Sequence, residues 1–140
     1  MSLALKDYFK NTNVADVPIK HQQNAQELFK VVESLFLNSG LELIISSGYR
    51  SKQRQLDLYR AKGYKDSEIP MLSGHLNGTA IDLVDANGLL DKFCSENQDA
   101  LRSLGLWQEH PNSTGGWCHI DMLQRPERYR PSCTARQFYP

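Results

Sequence analysis

The sequence has no surplus of charge: sixteen basic and sixteen acidic residues cancel over 140 positions. A chain without a net field does not gather nucleic acid or anionic lipid by bulk electrostatics, so any ligand must be held by a local constellation. The sequence also lacks the cysteine pattern of a stapled fold. Cys94, Cys118 and Cys133 are odd in number and never closely spaced, which excludes a full disulfide framework or a cysteine-only metal site and leaves three free thiols. Long hydrophobic runs are missing too, and residues 1–10 carry Lys6, Asp7 and Lys10 where a signal peptide needs an apolar stretch. The expectation is a soluble monomer of cytoplasmic synthesis, with no membrane insertion and no nucleic-acid partner. Met1-Ser2-Leu3 has the look of a cloning join, which would conceal a leader removed from the natural protein.

What is present is ordinary for a globular protein: 40% hydrophobic and 23% charged residues, enough chain for one core and too little for two. A single domain over residues 1–140 is expected. Ala25, Leu28, Phe29, Val32, Leu35 and Phe36 recur at helical spacing before the Asn38-Ser39-Gly40 stop. The short apolar run from Leu41 to Ser47 predicts a buried strand. Ser51 can cap a helix over Lys52 to Lys62, which sets Arg50 at a strand-to-helix junction. A loop from Tyr64 to Leu72, a strand from Gly78 to Asp85 and a third helix marked by Leu90, Phe93, Leu101 and Leu104 follow. The pattern ends with a loop from Gln108 to Gly116, a strand from Trp117 to about Leu123 and an irregular tail. The order α-β-α-β-α-β predicts an α+β domain with its helices on one side of a small antiparallel or mixed sheet.

His75 and Asp82 stand seven apart, one in a loop and the other on the strand that follows, with Gly74 and Gly78 letting the backbone fold close to a metal. A nitrogen and oxygen pair suits Zn²⁺. Strand alternation puts Trp117, His119 and Asp121 on one face and Cys118 and Ile120 on the other, so His119 is a third donor and Cys118 is not. Two His and one carboxylate leave tetrahedral zinc an open position, the arrangement of a catalytic site. Taken on spacing alone, the bland alternative stays open: a hydrogen-bonded His75 in a turn, a solvated Asp82 and a half-buried His119.

Ser73-Gly74-His75-Leu76-Asn77-Gly78-Thr79-Ala80-Ile81-Asp82 resembles the S-x-H-x-x-G-x-A-x-D signature of the M15 peptidases, the zinc D-Ala-D-Ala carboxypeptidases and phage L-alanyl-D-glutamate endopeptidases. Ser47-Gly48-Tyr49-Arg50-Ser51 is similar to their S-G-Y-R-S element, and Trp117-Cys118-His119 to their closing W-x-H. The resemblance implies a hedgehog/D,D-peptidase-like fold, His75, Asp82 and His119 as zinc ligands, Arg50 on a substrate carboxylate or the oxyanion, and Ser73 in contact with substrate. An Arg fork matches a carboxylate as Lys cannot, although a surface salt bridge is the plain alternative for Arg50.

The sequence departs from much of that family at the general base. Many members carry Glu three positions before the last His ligand, and here that position is Gly116. Glu109, in an L-W-x-E-x-P-like stretch that resembles small phage-type members, is the replacement candidate. His110 and Asp121 are rivals for the role, and Asp121 would otherwise orient the His119 ring. Trp107 and Trp117 are given to the core, and the basic run Lys52, Arg54, Arg60, Lys62 and Lys65 to a solvated face. The implied activity is zinc-assisted hydrolysis of a peptidoglycan stem peptide, as a D-Ala-D-Ala carboxypeptidase or an endolysin-like L-Ala-D-Glu endopeptidase released to the cell wall. Gly116 keeps a different class in play, a non-catalytic zinc-binding interaction module or phage structural protein on the same fold.

Overall fold

A computed structural model describes residues 3–125 and 135–139. They form helices α1 (Leu5–Tyr8), α2 (Ile19–Phe36), α3 (Lys52–Ala61), α4 (Leu89–Glu96) and α5 (Gln98–Leu104), and strands β1 (Ile45–Ser47), β2 (Ala80–Val84), β3 (Trp107–Glu109), β4 (Trp117–Asp121) and β5 (Gln137–Phe138). The strands make one mixed sheet in the order β1-β2-β4-β3-β5, antiparallel except where β5 runs parallel to β3. The fold is α+β, as the M15 resemblance implies.

The apolar stripe of α2 does what its spacing requires: Ala25, Leu28, Phe29, Val32, Leu35 and Phe36 are all buried. They meet Ile81 and Leu83 of β2, Cys118 and Ile120 of β4, Leu90 of α4 and Leu101 of α5 in one cluster. Since strand side chains alternate, the opposite face of β2 and β4 is left for Asp82, His119 and Asp121. One side of the sheet is thus core and the other carries polar groups. Cys94 and Cys118 are buried and unpaired, whereas Cys133 lies outside the described residues. No helix among the described residues is long and apolar enough to cross a membrane.

Several elements differ from the sequence expectation. The strand expected from Leu41 shortens to Ile45–Ser47, and even this short strand carries a register slip, since Ile45 faces Leu83 and Ser47 faces Asp82. The third helix is two helices that break at Asn97, whose φ of -130° leaves the helical range. The stretch expected to be a loop from Gln108 begins instead as β3, and the tail contributes β5. A buried amide ties them together: Gln108 Nε2 donates to the Asp91 main-chain oxygen (3.0 Å) and Oδ1 (2.9 Å), and its Oε1 accepts from Gln98 (3.1 Å) and Gln137 (2.9 Å). That network anchors β3 to α4, α5 and β5 and so fixes the strand that carries Glu109.

The short α1 belongs to the core as well. Tyr8 is buried, its main-chain oxygen accepts from Tyr49 N (2.9 Å), and its hydroxyl donates to the Ala80 oxygen (2.6 Å) at the start of β2.

Candidate metal centre

The Ser73 hydroxyl accepts from His75 N (3.2 Å) and so caps a single 3₁₀ turn, Gly74–Leu76. Gly74 has no room for a side chain, since a Cβ would lie 2.8 Å from Ala80 Cβ and from Thr79 Oγ1. Gly78 has a φ of 82° and backs onto the His21 main-chain oxygen, which a Cβ would approach to 2.4 Å. These contacts press the turn against β2 and α2 and aim His75 inward, where it is 3% exposed. Its Nδ1 lies 2.7 Å from the Gly48 oxygen. A carbonyl can only accept, so Nδ1 donates to it, and Nε2 lies 3.3 Å from Asp82 Oδ2.

Asp82 and His119 are directly opposite each other in the β2–β4 ladder. His119 Nδ1 donates to Asp82 Oδ1 at 2.8 Å, and His119 Nε2 donates to Asp121 Oδ2 at 2.7 Å. One atom from each of His75, Asp82 and His119 falls within 4.8 Å of the others, and all three residues are buried. Two imidazole nitrogens and a carboxylate oxygen, with each ring's outer nitrogen held by an acceptor, form a donor set that fits zinc.

The electrostatics follow from the burial. Desolvation would raise the pKa of Asp82, but hydrogen bonds from His119 and His75 overcome it and hold the carboxyl well below its usual range. Asp121 is likewise held low against its burial, by Arg125 and His119. For His119 burial favours the neutral ring, yet the carboxylates of Asp121 and Asp82 push its pKa up to about 10.

Arg50 stands beside the triad rather than on an open surface. Its Nη1 donates to Gln55 Oε1 (3.0 Å) and its Nη2 to Ser47 Oγ (2.9 Å), while Nη2 lies 3.9 Å from Asp82 Oδ2. Gln55 is itself fully buried and tied to the Pro70 oxygen (2.7 Å), so the guanidinium is fixed at the end of β1.

The three rivals for general base have different surroundings. β3 brings Glu109 toward the site, because Gln108 faces Ile120 and the next position runs toward His119. A loop doubling back is not what carries it there. Burial raises the Glu109 pKa, the charge of His119 opposes that rise, and its carboxylate makes no hydrogen bond among the described residues. Asp121, by contrast, is fully committed to His119, Leu123 N and Arg125. His110 turns away to accept from Asn112 N (3.2 Å) and stack on Tyr139 at 4.5 Å. Gly116 has a φ of 96° and nothing within 4 Å of a built Cβ, so that position supplies no acid or base.

Sequence reasoning did not find Gly48, Arg125 or Phe138 as parts of this site. Gly48 acts through its carbonyl, which no residue pattern encodes, and Phe138, whose ring centroid is 5.7 Å from that of His119, arrives from a two-residue strand near the chain end. The i,i+4 spacing of Asp121 and Arg125 was visible, but only helical periodicity would have made it a signal.

The family model for VanY, D-alanyl-D-alanine carboxypeptidase, matches residues 18–107. That span contains Arg50, Ser73, His75 and Asp82 and stops before Glu109 and His119. No curated protein and no solved structure matches the chain.

Proposed function

Because the chain belongs to the VanY D-alanyl-D-alanine carboxypeptidase family of M15 peptidases, we propose that it is a zinc peptidase of peptidoglycan stem peptides, with the metal held by His75, Asp82 and His119. The observation that carries this proposal is the convergence of three buried donors within 4.8 Å of one another. Zinc, when bound, supplies a Lewis acid and an acidified water at neutral pH.

The chain's own residues then have separable tasks. Glu109 is the proton acceptor: it is a partly buried carboxylate without a hydrogen-bond partner among the described residues, and burial raises its basicity. Arg50, clamped by Ser47 and Gln55, offers its remaining donors to a carboxylate or developing oxyanion of the substrate. Ser73 spends its hydroxyl oxygen on the His75 main chain, and its O–H is left for a substrate carbonyl. A fixed guanidinium beside the site suits a terminal carboxylate, which favours removal of a terminal D-Ala over cleavage between L-Ala and D-Glu.

The test is a digest of the pentapeptide L-Ala-γ-D-Glu-L-Lys-D-Ala-D-Ala by the zinc-reconstituted protein. Release of D-Ala supports the carboxypeptidase, and release of L-Ala moves the activity to the endopeptidase. A protein that binds zinc tightly and cleaves neither bond is the metal-binding module that Gly116 leaves in play.

A further inference from the structure

Asp121 is 1% exposed, and both of its carboxylate oxygens are filled. Oδ1 accepts from Leu123 N (3.1 Å) and Arg125 Nη1 (2.5 Å), while Oδ2 accepts from Arg125 Nη2 (2.8 Å) and His119 Nε2 (2.7 Å). The guanidinium thus meets the carboxylate as a two-pronged fork, a geometry that fixes the plane as well as the position of the acid. Arg125 is itself held. Its flat face lies 3.5 Å from the centroid of the Phe138 ring and 5.5 Å from that of Trp107, and its side chain is only 12% exposed.

We infer that Arg125 is a positioning residue of the metal centre, acting through Asp121 to fix which nitrogen of His119 faces Asp82 and His75. This inference rests on the proposal that the three converging donors hold zinc. A carboxylate paired with a guanidinium only accepts, so the nitrogen of His119 that meets it keeps its proton and the other turns to the metal position. His75 is oriented in the same manner by the Gly48 carbonyl. For His119 the orienting group is a buried charge, and a buried charge needs its own partner; among the described residues Arg125 supplies it. Both Arg125 and the Phe138 face that holds it lie beyond residues 18–107, so this support is built by the C-terminal part of the chain. It also gives the two-residue strand β5 a task, since β5 sets Phe138 over the guanidinium and beside His119.

The experiment measures zinc affinity of the full chain at one pH by competition with a chromophoric chelator, alongside the melting temperature of each metal-free form. Arg125→Ala is expected to weaken zinc about 10–100-fold, the usual size of a lost outer-shell partner. Arg125→Lys should recover only part of this, because a point charge cannot hold the carboxylate plane. Asp121→Asn should weaken zinc to a similar degree, and the Arg125→Ala/Asp121→Asn pair no more than the weaker single variant, since both act along one chain of contacts. The visible spectrum of the Co²⁺-loaded protein should change in Arg125→Ala, and millimolar methylguanidinium should restore it. Parent-like zinc affinity and cobalt spectrum in Arg125→Ala, whatever its melting temperature, would reduce Arg125 to a stabilising ion pair. If Arg125→Ala does not fold, Arg125→Lys decides: unchanged affinity overturns the inference and a tenfold loss sustains it. A parent protein that takes up no zinc removes the metal centre itself, and with it the basis for any role of Arg125.

Discussion

The main-chain oxygen of Gly48 lies 2.7 Å from His75 Nδ1, on a residue where a methyl group would fall 2.3 Å from the main-chain oxygen of Tyr8. The first helix therefore stands directly behind the carbonyl that orients one arm of the triad. Gly48→Ala must push either α1 or the 47–50 segment aside, because the blocking atom is backbone. We expect a loss of about 1–3 kcal/mol of stability, the range for overpacking a tight site, together with weaker zinc binding as the carbonyl moves off His75. A thermal melt with a parallel zinc titration checks both, and unchanged zinc affinity in a destabilised variant would detach Gly48 from the metal site.

Glu109→Gln keeps shape and removes basicity. It should leave zinc in place and lower turnover on stem peptides by roughly 10²–10⁴-fold, the usual worth of general acid–base help. Asp121→Asn should act differently and lose zinc affinity, because its carboxylate is spent on His119 and Arg125. His110→Ala should change neither. Turnover and zinc content measured on all three variants would transfer the base assignment to Asp121 or His110 if only that variant lost turnover with its metal intact.

The sequence makes one half of this site legible because regular periodicity encodes it. Alternation along Trp117–Asp121 puts His119 and Asp121 on one face, and the turn before β2 brings His75 back to Asp82. The remaining half is built by contacts without a local period. Tyr8 reaches Ala80 across 72 residues, and β3 and β5 have three and two residues, too few for alternation to register. Gln108 reads as a polar loop residue, yet it is fully buried because Asp91, Gln98 and Gln137 satisfy its amide. Nothing in residues 108–116 announces those partners, so the strand they stabilise reads as a loop.

Arg50→Lys should fold normally and retain zinc, because its hydrogen-bond partners Ser47 and Gln55 lie outside the triad and its 3.9 Å approach to Asp82 is a charge contact that an ammonium also supplies. An ammonium cannot satisfy both of these and still present a fork to a substrate carboxylate. A fall in kcat/KM on the order of tenfold to a hundredfold is expected, the size of one lost charge-assisted contact. Steady-state kinetics on the pentapeptide reads it, and parental kcat/KM would leave Arg50 with a structural task only.

Loading the site with zinc should release a proton, and the source is His119. In the metal-free protein burial alone would lower its pKa, but Asp121 and Asp82 on its two nitrogens push it from 6.5 up to about 10. At neutral pH the ring is therefore an imidazolium whose Nδ1 proton points at Asp82, and that proton must leave before Nδ1 can bind a metal. About one proton per chain should be released at pH 7, so zinc affinity should rise about tenfold per pH unit until the ring titrates. Calorimetry in buffers of different ionisation enthalpy counts the protons directly. The same shift has a signed effect on the metal-free fold. A folded pKa above the unfolded one stabilises fully below pH 6.5, and the contribution fades as pH rises through about 10. The stability difference between the parent and His119→Gln, both metal-free, should thus shrink between pH 7 and pH 10. If zinc binds at pH 7 with no proton released, His119 is already neutral in the folded protein, and the two carboxylates do not hold it charged.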